Sequence, residues 1–191
     1  MNEKTLKKQI ILSSKKLKNS GMLPGASGNI SIRFKDKIFI TPSMVNKEDL
    51  KLADISEIDL TGKILNSKKP SSEYQLHINI YKIRKDINAI VHTHPPYTIA
   101  YSIAKIKPDY RLTVEFNLIV KNLKFCPFEK PGSTKLALKV AEYLKDSNAV
   151  VMENHGLVSI GSDLTSAMII NEEVENFFKI NYLVKTLKMM K

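Results

Sequence analysis

Two adjacent prolines, Pro95 and Pro96, stand directly after the run Ala89-Ile90-Val91-His92-Thr93-His94. The apolar start of that run reads as a short buried strand. Neither proline can donate the amide hydrogen bond that an interior strand needs, so the strand is expected to end at His94. Residues two apart on a strand project from one face. His92 and His94 therefore point the same way, at the rim of a sheet rather than inside it. Two imidazoles so placed suit a divalent metal, zinc first among them; a pair alone equally suits two polar residues closing a strand.

Helical and strand patterns alternate on either side of that run. Residues 2–20 carry Leu6, Ile10, Ile11 and Leu17 at helical spacing among lysines, with Gly21 as a stop. A small-residue loop, PGASG, leads into alternating Ile30, Ile32 and Phe34, then a tight turn at Lys35-Asp36-Lys37 and a returning strand. Residues 55–65 predict another hairpin around Thr61-Gly62. Ser71 or Ser72 is expected to cap a helix running to about Arg84, with Gln75 supporting its start. Further helices are predicted at 96–104, from Ser133 or Thr134 to Leu144, and from Asp163 onward. Strand candidates fall around 112–120, at 149–152 and at 157–160. No linker or repeat divides the 191 residues. The expectation is one domain, 1–191, of α/β class, a sandwich on a mostly antiparallel sheet.

The formal net charge of +11 comes almost entirely from scattered lysine, with Arg33, Arg84 and Arg111 the only arginines. Nucleic-acid readers concentrate basic residues and favour the arginine fork, so this distribution points away from a nucleic-acid partner. A positive field would still draw in an anionic substrate such as a sugar phosphate. No run approaches the ~18–20 apolar residues of a membrane span, and the charged start lacks the pattern of a secretion signal. A cytoplasmic protein without a membrane partner is expected. Cys126, the single cysteine, reads as a packing residue.

His155 lies between two predicted strands, beside Gly156, whose small size permits a positive φ or a close backbone approach. With His92 and His94 it would complete three ligands and leave a fourth position for substrate. His77 shares a helical face with Leu76 and Ile80 and reads as a packed core residue. Glu73, placed in the first turn of its helix, could simply complement the helix dipole. The same place offers free amides beside Ser71 and Ser72, an anion site next to a candidate base. The loops at Gly28-Asn29 and Thr41-Pro42-Ser43 could add further phosphate donors.

SGNIS at 27–31, TPS at 41–43, PSSE at 70–73, HTHPP at 92–96 and NHG at 154–156, in this order and spacing, resemble the class II aldolase/adducin family. The similarity runs from about residue 3 to 182 and is closest to the branch that cleaves L-fuculose 1-phosphate. It implies a three-layer α/β/α sandwich on a central antiparallel sheet, assembled as a homotetramer with active sites between subunits. It further implies one zinc ion, or another divalent metal, per subunit on His92, His94 and His155. Glu73 would be the acid/base and a resting metal ligand; Asn29, Ser43, Ser71 and Ser72 would hold the phosphate of a phosphorylated sugar. The implied reaction yields dihydroxyacetone phosphate and an aldehyde such as lactaldehyde. The family often carries glycine where this chain has Met44, and the fuculose branch's C-terminal extension, with an active-site tyrosine, is expected to be missing or shortened in a sequence ending at Lys191. That branch also uses a mid-chain tyrosine across an interface, for which Tyr110 is the candidate. Sister branches perform methylthioribulose-1-phosphate dehydration, for which Glu115 is the candidate base, and pentulose-phosphate 4-epimerisation. Adducin-like modules keep the fold as non-enzymatic scaffolds.

Overall fold

The computed structural model describes residues 2–190. After helix α1 (Glu3–Asn19) come strands β1 (Asn29–Phe34), β2 (Lys37–Ile40) and β3 (Ser56–Asp59), helix α2 (Tyr74–Ile83) and strand β4 (Ala89–Thr93). Helices α3 (Pro96–Ala104) and α4 (Val114–Ile119), strand β5 (Lys124–Cys126) and helix α5 (Thr134–Tyr143) follow. Strands β6 (Ala149–Met152) and β7 (Gly156–Gly161) then lead into the long helix α6 (Leu164–Met189). The strands form one sheet in the order β3-β2-β1-β4-β7-β6-β5. Every pairing is antiparallel except β5 with β6, so the mostly antiparallel sandwich read from the sequence is what the chain adopts.

Alternation along the strands divides the core between two faces. Ile38, Ile90, Val150, Val158 and Ile160 pack under α2 and α5. On the other face, Ile30, Ile32, Ala89 and Val91 meet α1 and the start of α6, while Ala149, Val151 and Leu157 meet α3, α4 and the middle of α6. Helices thus cover both faces, three layers in all.

Strand β4 lies inside the sheet and all five of its residues are buried. Its ladder stops at Thr93, one residue earlier than expected, and the His94 amide donates instead to the Met22 carbonyl. Helix α6 holds this strand end from behind. Asn171, fully buried, donates to the Val91 carbonyl and to Ser159 Oγ and accepts from Thr93 Oγ1 at 2.6 Å. One turn further, Glu175 accepts from the amides of Tyr97 and Thr98, both at 2.9 Å, and from the Thr98 hydroxyl. Pro95 precedes α3 and has no side chain to cap it; the Glu175 carboxylate supplies the cap from a neighbouring helix and suits the positive end of the dipole.

Two local expectations are corrected. The 112–120 segment is not a strand but centres on a helix, α4 (Val114–Ile119): Phe116 and Val120, the latter just past the helix end, are its buried apolar residues, and Phe116 stacks on Phe177 of α6 at 3.9 Å. The second hairpin does turn at Thr61-Gly62, but its returning arm is shorter than expected: one bridge, Ile58 with Ile64, flanked by hydrogen bonds from the Asp59 amide to the Lys63 carbonyl and from the Leu65 amide to the Glu57 carbonyl.

Replacing Asn171 with alanine should cost about 2–4 kcal/mol, because it strands buried polar partners as well as removing volume. Urea unfolding should show a lower midpoint at unchanged slope.

Candidate metal centre

His92 and His94 leave β4 on the same side, as the period of a strand requires, and His155 reaches them from the turn between β6 and β7. Gly156 allows this by close approach. A Cβ there would lie 2.3 Å from the Thr93 carbonyl oxygen and 3.0 Å from His92 Cε1. The positive φ of the turn, 59°, belongs to Asn154 instead. Pairing places Asn29 of β1 directly opposite His92, so its side chain joins the same group. Gly28 precedes it at φ +69°, where a Cβ would stand 2.7 Å from the His92 carbonyl oxygen.

The three imidazole rings form a nearly equilateral set, with centroids 4.9, 5.0 and 5.2 Å apart. One ligand atom from each lies within 4.8 Å of the others. His92 Nδ1 donates to the Leu157 carbonyl at 3.0 Å, which leaves Nε2 aimed inward, 3.1 Å from His94 Nε2. Neighbouring nitrogens on a tetrahedral zinc, with Zn–N near 2.0–2.1 Å, sit about 3.3 Å apart. The carbonyl behind His92 is the backing that orients a metal-bound imidazole. Glu73 completes the cluster: Oε2 is 3.2 Å from His92 Nε2, and Oε1, 3.6 Å from His155 Nε2, is buried without a hydrogen-bond partner. Inward-facing imidazole nitrogens and an unsatisfied carboxylate oxygen are what a divalent cation satisfies.

Glu73 reaches this position because the helix starts later than expected. It is the residue before α2, at φ −99° and ψ 16°, and neither Ser71 nor Ser72 is the cap. Ser71 Oγ instead accepts from the Glu73 amide at 3.3 Å, holding the turn in which the glutamate faces the sheet. Gln75 lies outside any capping box and accepts from Thr134.

Burial alone would raise the Glu73 pKa; attraction and hydrogen bonding from His92, with smaller contributions from His155 and Asn29, outweigh it and hold the carboxyl far below its usual range. Burial likewise opposes charge on His92, but Glu73 and the Leu157 carbonyl more than offset it, and its pKa is raised. His94 and His155 are pushed down to about 3 and about 4, chiefly by burial and then by His92. The pair thus favours a charged His92 beside an ionised Glu73, and a metal binding here would have to displace any proton that His92 Nε2 carries.

The cleft above the centre measures about 670 Å³. Gly28, Asn29, Ser43, Ser71, Ser72 and Glu73 line it together with His94 and His155, so most of the expected phosphate donors do converge. Thr41 stands behind the wall, its hydroxyl accepting from the Ile30 amide and its carbonyl from the Ser71 amide. Met44 sits on the rim at φ 56°, 86% exposed. It occupies the left-handed region that favours glycine, at a cost of about 1–2 kcal/mol, so this loop keeps a glycine-like backbone without the glycine. The sequence reading missed Pro131 and Gly132, which close the cleft from the loop before α5. A Pro-Gly pair just ahead of the Ser133 cap was the available signal. It also missed Lys47, wholly buried, which donates to the Ala26 and Val45 carbonyls and so ties two cleft loops together.

Glu115 is exposed on α4, near Glu173. Tyr110 is 42% exposed and packs on Phe116 and Phe177. Neither lines the cleft.

A family model described as "Class II Aldolase and Adducin N-terminal domain" matches residues 8–182. An L-fuculose phosphate aldolase of Methanocaldococcus jannaschii is 38% identical over 183 residues, covering 94% of this chain and 98% of its own. A 5-deoxy-D-ribulose 1-phosphate aldolase of Bacillus thuringiensis is 34% identical, covering 95% and 86% respectively. A solved L-fuculose 1-phosphate aldolase superposes with a TM-score of 0.88 at 29% identity, over 98% of this chain and 89% of that one.

His92→Ala and His94→Ala should each abolish stoichiometric uptake of a divalent metal, followed by equilibrium dialysis; His94→Ala should melt close to the metal-free parent, and His92→Ala below it, because it leaves the buried Glu73 carboxylate without its main partner. Acid should destabilise that metal-free protein. His77, His94 and His155, with folded pKa values of about 3, 3 and 4, stay neutral as the unfolded chain takes up protons below about 6.5. His92, raised, has the opposite sign but is one group against three. The melting temperature should therefore fall from pH 7 to pH 5.

Proposed function

The chain belongs to the class II aldolase and adducin N-terminal domain family, and from that premise we propose that it is a metal-dependent aldolase. In this reading it reversibly cleaves a ketose 1-phosphate, L-fuculose 1-phosphate first among the candidates, into dihydroxyacetone phosphate and an aldehyde such as lactaldehyde. The observation that carries the reading is Glu73: a carboxylate with one unsatisfied buried oxygen, set between the His92, His94 and His155 cluster and the cleft. A non-enzymatic scaffold has no use for that arrangement.

Zinc is the metal we assign, one per subunit, on His92, His94 and His155, with Glu73 as a further ligand when substrate is absent. When bound it would supply Lewis-acid stabilisation of negative charge developing on substrate oxygens. Glu73 moves the proton at C3 of the dihydroxyacetone phosphate moiety. Asn29, Ser43, Ser71 and Ser72, with the backbone at Gly28, hold the phosphate, and that grip fixes C3 against the carboxylate. The metal's acidifying effect on substrate matters here, because a carboxylate is a weak base for a carbon acid. The relative named for 5-deoxy-D-ribulose 1-phosphate supports committing to the ketose 1-phosphate class more firmly than to one sugar.

The dehydratase alternative loses ground, since Glu115 lies on exposed α4 rather than in the cleft. No tyrosine lines the cleft among the described residues, so we assign protonation of the departing aldehyde oxygen to a group brought by a neighbouring subunit. A homotetramer fits that need, and exposed Ile103, Val114 and Leu118 offer apolar contact surface. We read the chain as one domain, 1–191, working in the cytoplasm; among the described residues no helix is long and apolar enough to cross a membrane.

Zinc-loaded protein in deuterated water should exchange one C3 proton of dihydroxyacetone phosphate stereospecifically, followed by proton NMR. Glu73→Gln should slow that exchange at least ~100-fold. Exchange that persists in Glu73→Gln, or that needs no metal, would refute the mechanism.

A further inference from the structure

His77 lies on the inner face of α2, wholly buried and outside the cleft lining. Both its ring nitrogens nevertheless belong to a continuous hydrogen-bond chain that ends on Glu73. Asn29 Nδ2 donates to Glu73 Oε2 at 3.0 Å, and Asn29 Oδ1 meets His77 Nε2. His77 Nδ1 is 2.7 Å from Ser31 Oγ, which is 2.8 Å from the Tyr81 hydroxyl. Asn29, Ser31, His77 and Tyr81 are each at most 2% exposed, so water offers no substitute partners.

Donor and acceptor rules give the chain one direction. An ionised carboxylate only accepts, so the amide nitrogen of Asn29 must face Glu73 and its oxygen must face His77. His77 Nε2 then carries the proton. Burial keeps the ring neutral, with its pKa pushed down to about 3, so Nδ1 has a lone pair and takes the Ser31 hydroxyl proton. Tyr81 is left as the donor to Ser31 Oγ. Its far end is anchored: the Arg33 guanidinium lies 5.0 Å over the Tyr81 ring and donates to the Tyr81 carbonyl.

We propose that His77 is a positioning residue that, as its Nε2–H tautomer, locks the Asn29 amide with its nitrogen toward Glu73 and so holds the carboxylate for proton transfer. With the proton on Nδ1 instead, Asn29 would turn its amide nitrogen to His77. Two acceptor oxygens would then face each other across the gap now bridged by a 3.0 Å hydrogen bond, and the carboxylate would be pushed aside. The tautomer of a ring outside the cleft thus decides whether Asn29 donates to Glu73, beside the contact that Glu73 Oε2 makes with His92. The kinetic part of this inference rests on Glu73 being the base.

Two amide substitutions, each reaching the place of a different ring nitrogen, separate positioning from packing. In His77→Gln the amide nitrogen can occupy the place of Nε2 and still donate to Asn29; in His77→Asn the amide ends near Nδ1 and cannot. Both bury a polar amide, and melting curves of the two report their folding. His77→Gln should keep C3 proton exchange within about threefold of the parent, whereas His77→Asn should lose ~10–100-fold in rate constant with KM little changed. Equal losses, or no loss in either, would overturn the positioning role. Nitrogen NMR of histidine-labelled, metal-free protein tests the chain without any reaction. A neutral ring protonated on Nε2 is expected; protonation on Nδ1, or a cationic ring at pH 7, would overturn it. The expected tautomer in a parent that exchanges nothing would refute the role of Glu73, and the kinetic effect of His77 with it, while upholding the chain.

Discussion

Everything in the centre depends on how β4 is paired. Its register sets His92 opposite Asn29 on one side and opposite Val158 on the other, with Thr93 opposite Leu157. Because side chains alternate along a strand, a slip of one residue on either neighbour would send Asn29 to the opposite face or move the carbonyl that backs His92. The pairing is in turn secured by what lies on its two sides: Ile90 and Val91 fill separate cores, and Asn171 bonds to β4 and β7 at once. His92 stands in the sheet itself, and His94, His155 and Glu73 stand in the turns directly bordering it.

Much of this was readable in advance because it depends on short-range rules. Proline cannot continue a strand and alternation fixes a face, so His92 and His94 could be placed together from nine residues. The misreading at 112–120 has a physical source. Val114, Phe116, Leu118 and Val120 alternate as a strand would, yet Val114 and Leu118 are exposed, and the packing of Phe116 on Phe177 selects the helix. Glu73 was expected inside the first helical turn; the turn stabilised by Ser71 holds it one position earlier. The Asn29–His77–Ser31–Tyr81 chain was out of reach of any local rule, since its members come from β1 and α2 and meet only after the sheet is covered.

The electrostatics of the site follow from the same burial. A carboxylate in a nearly dry place remains ionised because His92 and Asn29 favour its charge, while His94 and His155 are kept neutral by burial and by His92, which together outweigh the pull of Glu73. Two of the three imidazoles are thus in the neutral form a metal requires of its ligands, while His92, favoured in its charged form, would have to give up a proton. Lys47, with its pKa lowered to about 8 chiefly by burial, adds positive charge behind the loops that face the cleft, a field suited to an anionic substrate.

The connectivity of the sheet has a further consequence, for the order in which the protein is made ready. β4 is joined in space to β1, from early in the chain, and to β7, from near its end. His155 cannot meet His92 and His94 until that long-range closure is complete, so the ion has no complete site to bind during the slow, high-contact-order part of folding. Metal should therefore act as a lock applied to a finished sheet, slowing its unfolding, rather than as a nucleus around which the chain assembles.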